Sequence, residues 1–93
     1  MGRGRIERRV FELSARLAKA REDLVLLDEQ LEVFDAHAED AKVRSLVSDS
    51  PQLYSEAKRH ADAMRKARVM LCESIDEMER QQEKLISRLS ASL

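Results

Sequence analysis

Aromatic side chains are nearly missing from this sequence: Phe11, Phe34 and Tyr54 are the whole set, with no tryptophan among 93 residues. A chain so poor in large rings is badly supplied for the multilayer core of an ordinary globular domain. Cysteine is as scarce. The single thiol, Cys72, excludes an internal disulfide and fits a reducing compartment, so a cytoplasmic location is expected. Proline occurs once, at Pro51, and the two glycines, Gly2 and Gly4, both stand at the start, so nothing from Arg5 to Ser50 interrupts a helix. No apolar run nears the ~20 residues of a membrane span and no signal peptide is visible, so no membrane partner is expected. A myristoylation signal would want Ser or Thr where Ile6 stands. The formal net charge of −1 supplies no overall attraction to nucleic acid or anionic lipid.

What the chain does have is helix-forming, charged residues. Ala, Glu, Lys, Leu and Arg make up 51 of the 93 positions, near the half-share typical of coiled coils. Ile6, Val10, Leu13, Leu17, Ala20, Leu24, Leu27, Leu31, Phe34, Ala38 and Ala41 follow at alternating steps of four and three. This is a heptad seam, the pattern that winds one helix on another. A helix carrying it is roughly 60 Å long at 1.5 Å per residue, too long to bury the seam against itself. Polar residues flank it, with Arg9, Arg16, Asp23, Gln30 and His37 on one side and Ser14, Arg21, Asp28 and Asp35 on the other. Away from the seam, Phe11, Ala15, Ala18, Val25, Leu26 and Val33 form a second, weaker apolar stripe interrupted by Glu22 and Glu29. A run of this kind along one side suggests a second interface.

The first helix is expected over 6–47, after a flexible basic arm at 1–5. At Ser48-Asp49-Ser50-Pro51 the chain must break, because proline disfavours helical angles at Ser50. Ser50 can cap the next helix while Pro51 takes its first position, where a missing N–H costs nothing. The second helix is expected over 51–90, with the turn at 48–50. Its seam is Tyr54, Ala57, Ala61, Met64, Arg68, Leu71, Ile75, Met78, Gln82, Leu85 and Leu89. Arg68 and Gln82 are polar seam residues, a type that commonly fixes register.

So short a break makes an antiparallel neighbour the economical arrangement. Charge supplies an independent argument. Residues 1–21 hold seven Lys and Arg against two Asp and Glu (+5), and residues 22–49 hold two against nine (−7). Residues 50–68 hold five against two (+3), and residues 69–93 three against five (−2). Folding at Ser50 lays the second quarter on the third and the first on the fourth, opposite signs meeting both times. The expected register sets Leu13 on Leu89, Leu17 on Leu85, Leu24 on Met78, Leu27 on Ile75, Leu31 on Leu71 and Ala38 on Met64, with Phe34 opposite Arg68. A register one heptad away sets Leu13 on Gln82 and Leu27 on Arg68, a poorer apolar match. A lone hairpin buries one side of each seam, so two copies are expected to dimerise into a four-helix bundle.

Chemistry-bearing residues are few. His37 and His60 are the only histidines, apart in sequence and not facing each other in the expected register, so no metal pair is expected. Cys72 is expected to pack half-buried, since Glu73 beside it disfavours a thiolate. Glu73, Asp76, Glu77, Glu79 and Glu83 read as a solvated face with pairs such as Asp76–Arg80 and Glu77–Gln81. No Gly-rich loop or nucleophile triad is present, and neither an enzyme nor a cofactor is expected. Arg3, Arg5, Arg8 and Arg9 precede Leu17, Leu24 and Leu31 at sevenfold spacing, which looks like a basic region leading into a zipper. Val10 and Leu13, however, continue the seam through it, where a reader of the major groove should be polar.

In outline the chain resembles the small secreted two-helix hairpins of the Trp-X-Gly type, yet its turn at Ser48–Pro51 has no Trp. Tyr54 to Lys58 also lacks the acidic residue that the family's export signal carries at its fifth place. It is also similar in outline to the coiled coil of bacterial transcript-cleavage factors, whose tip is acidic, but here Asp49 stands alone. The expectation is a non-catalytic all-α coiled-coil hairpin that pairs with itself and binds a protein partner in a bacterial cytoplasm. Candidate contact residues are Phe11, Val25, Leu26 and Val33 on the flank, and Leu46, Val47, Asp49, Leu53 and Tyr54 at the tip. Two alternatives stand beside it: a small transcription regulator contacting DNA or RNA polymerase, and a subunit or chaperone of a secretion or motility apparatus.

Overall fold

A computed structural model describes residues 2–48 and 51–92. They form two helices, α1 (Gly2–Ser48) and α2 (Pro51–Ala91). The helices lie side by side in a rod of 69 × 15 × 14 Å. They run antiparallel: along α1, Ser14, Arg21, Asp28 and Asp35 meet Gln82, Glu79, Arg68 and Arg65 of α2 in descending order. Every residue of the first seam from Ile6 to Ala41, and of the second from Tyr54 to Leu89, is buried or half-buried. Heptad spacing thus sorts inside from outside along both helices.

The helix ends are held in different ways. The helix α1 begins at Gly2, so residues 2–5, expected as a loose arm, continue it. Arg3 pairs with Glu7 at 3.3 Å, one turn on, and ties that first turn down. No acid stands in the first turn to offset the helix dipole. At the other end, Ser45 Oγ donates to the Lys42 carbonyl at 2.8 Å and Ser48 Oγ to the Arg44 carbonyl at 2.6 Å. Both are short-range bonds from a serine hydroxyl back to a carbonyl of the preceding turn. Pro51 opens α2 as expected, while Asp49 and the capping role given to Ser50 lie outside the described residues. The close of α2 keeps basic Arg88 in its last turn, and Ser92 N–H donates to the Arg88 carbonyl at 3.1 Å.

The register differs from the expected one. Gln82 Nε2 donates to Ser14 Oγ at 2.6 Å, and Arg68 Nε to Asp28 Oδ1 at 2.5 Å. Ser14 and Asp28 directly follow Leu13 and Leu27, so the helices adopt the arrangement one heptad over, with Leu13 level with Gln82 and Leu27 with Arg68. The apolar match is not spoiled, because both polar side chains swing sideways onto polar flank residues and leave their stems in the seam. Phe34, freed from Arg68, stacks on His60 (centroids 5.9 Å apart) beside the fully buried Ala61.

The core is unevenly spread. Leu13, Leu17, Ala20, Ile75 and Met78 form one cluster, flanked by half-buried Leu24, Leu71 and Leu85, all in the half away from the turn. Toward the turn the seam narrows to Ala38, Ala41, Ala57 and Ala61, of which Ala61 alone is fully buried. Leu17 is 1% exposed and Met70 is 70% exposed. Leu17→Ala should therefore cost about 2–5 kcal/mol in urea unfolding followed by circular dichroism, and Met70→Ala within about 0.5 kcal/mol.

Candidate interaction surface

The flank series Ser14, Arg21, Asp28 and Asp35, one residue every heptad, laces a single edge of the hairpin. Arg21 lies 3.8 Å from Glu79, Asp28 accepts from Arg68, and Asp35 accepts from Arg65, which Asp62 also holds at 3.0 Å. Each bridge between the helices joins segments of opposite net charge, as the quarter-by-quarter balance requires. Arg65 and Arg68 of the second basic segment are consumed in this way. All these groups are largely exposed, so they select orientation and register, and the seam supplies the cohesion. The opposite flank series makes no interhelical hydrogen bond or ion pair among the described residues. There Arg9 turns to Glu12 at 3.2 Å and Asp23 to Lys19 at 2.9 Å within α1. The acidic face of α2 pairs Glu77 with Arg80 at 3.0 Å, where Asp76 was expected, and with Gln81 at 3.3 Å. The Arg80 bond first, and then the Gln81 bond, hold the Glu77 carboxyl below its ordinary value. That contribution is present above the carboxylate range and fades as pH falls through the lowered value.

On this unlaced edge both histidines lie near one aromatic ring. His37 lies 6.4 Å from the Phe34 ring, centroid to centroid, and His60 stacks on the same ring from α2. Among the described residues no group of three or more His, Cys, Asp or Glu converges on a point where a metal could sit. Cys72 is half-buried at the seam margin.

The expected contact residues fall into two separate groups. Phe11, Val25, Leu26 and Val33 lie on the outer face of α1, turned from α2, and are 55–77% exposed. Leu46, Val47 and Leu53 gather at the turn end, exposed at 79%, 83% and 46%, with Tyr54 half-buried beside them and Asp49 outside the described residues. At the turn end, Val47 and Leu53 with Val43, Arg44 and Ser48 line a shallow apolar recess of about 310 Å³. Val43 escaped the sequence reading. The signal was present, since Val33, Ala36, Val43 and Val47 continue the outer stripe at helical spacing. Of the N-terminal arginines, Arg3 and Arg9 are paired to Glu7 and Glu12, while Arg5 and Arg8 form no ion pair among the described residues.

Fold and surface together define an extended helical hairpin with exposed apolar faces, and none of its described helices is long and apolar enough to cross a membrane. No protein-family model, curated protein or solved structure is significantly similar to the chain.

Reversing one charge tests the lacing. Arg68→Glu should lower the melting temperature, and adding Asp28→Arg should recover much of the loss. About 1 M salt should narrow the difference between the variants, because screening weakens exposed pairs.

Proposed function

We propose that the chain is a non-catalytic interaction module: a hairpin that pairs with a second copy into a four-helix assembly and presents its turn end to a protein partner in the cytoplasm. The observation that carries this reading is the mismatch between core and surface at the turn. There the seam is built from alanines and Tyr54, while Val43, Val47 and Leu53 stand exposed around an apolar recess and Leu46 stands exposed near it. Such clustering marks contact surfaces on otherwise charged proteins. A short helix with an apolar edge suits the recess, and the lean seam beneath allows the two helices to adjust as it docks. Contact with nucleic acid is the second reading, supported by Arg5 and Arg8, which form no ion pair among the described residues.

Light scattering after size exclusion at micromolar concentration should return a dimer mass, and a stable, highly helical monomer would refute self-association. Leu46→Asp combined with Val47→Asp should remove the partner that the unmodified chain retains from extracts of its host, with helicity and dimer mass unchanged. A shift of generic duplex DNA that disappears as salt rises, and that requires Arg3, Arg5, Arg8 and Arg9, would favour the second reading instead.

A further inference from the structure

We infer that two copies meet through the outer face of α1, antiparallel and centred near Val25. This rests on the dimeric reading above and specifies the face and the direction. The outer stripe lies on the side of α1 opposite the hairpin seam and runs from Phe11 through Val25 to Val33, along the middle of the helix, leaving Val43 to the turn-end recess. Every large side chain in it is at least 55% exposed. The outside of α2 exposes Leu53, Val69, Met70 and Ile86, scattered along its length without a continuous line.

Area points to a large covering. The hairpin exposes 7228 Å², whereas a compact monomer of its mass exposes about 5,500 Å². The excess, roughly 1,700 Å² per copy, is about twice what each partner of a standard interface buries. Charge then chooses the occupant. The basic segment 1–21 (+5) and the acidic segment 22–49 (−7) are the two halves of this one helix, and the midpoint of Gly2–Ser48 is residue 25. Two copies of α1 laid head to tail with full overlap therefore match opposite signs along their entire length, and a parallel pair would match like signs. Glu22 and Glu29 interrupt the stripe near its middle, so the apolar contact and the end-to-end charge match must outweigh them. Because the stripe opposes the seam, the four helices stand in a row, α2, α1, α1, α2. The two turn ends then point in opposite directions, which makes the dimer a two-ended connector for the partner.

Spin labels placed in a Cys72→Ser background test the geometry. Labels at Gln30→Cys should lie close, offset along the axis by about 15 Å between copies, and labels at Lys42→Cys by about 50 Å, from 1.5 Å per residue on either side of residue 25. Val25→Glu combined with Leu26→Glu should weaken dimerisation at least about a hundredfold while far-ultraviolet circular dichroism stays helical. Short distances at both labelled positions, or a dimer that survives the paired glutamates, would overturn this arrangement and leave self-association standing. A monomeric unmodified chain would end both.

Discussion

Each helix carries an apolar line longer than any single helix can hide, and the rest of the structure follows from that unmet burial. A two-residue connection allows one inexpensive answer, in which α2 returns along α1 and the seams close on each other. The ion pairs do not create this arrangement. They tell the seams which way to run and where to stop sliding, a role suited to contacts that are individually weak in water.

Inside and outside were legible in the sequence because heptad spacing is a property of one helix alone. The register was not, for a physical reason. Neighbouring registers bury similar numbers of leucines, so ranking them by apolar match gives Gln82 and Arg68 too much weight. Long polar side chains can stay in a seam by their stems and satisfy their heads at its edge, as both do with Ser14 and Asp28. The flanking series held the answer, since the four residues Ser14, Arg21, Asp28 and Asp35 all find partners on α2 in one register. The start of α1 was misplaced for a related reason. Glycine's low helix propensity argued for a loose arm, yet the helix runs on through Gly2 and Gly4, with Arg3 paired to Glu7 one turn on.

The candidate surface was legible in part. Phe11, Val25, Leu26 and Val33 were visible as a second stripe, and their exposure follows from lying opposite the seam. The gathering of Val43, Leu46, Val47 and Leu53 depends on two helices converging at the turn, which no single-helix pattern reveals. What the surface binds was not legible at all. Its chemistry is aliphatic and shape-selective, and specificity of that kind is written largely in the partner.

The uneven core also has a mechanical meaning. A load that pulls the two chain ends apart meets the leucine, isoleucine and methionine layers first, and these must rupture before the alanine layers feel any strain. Once they give way, little remains to resist, so the hairpin would open abruptly, like a latch. Force entering at the turn would find the opposite order, with soft layers yielding ahead of stiff ones and damping the load.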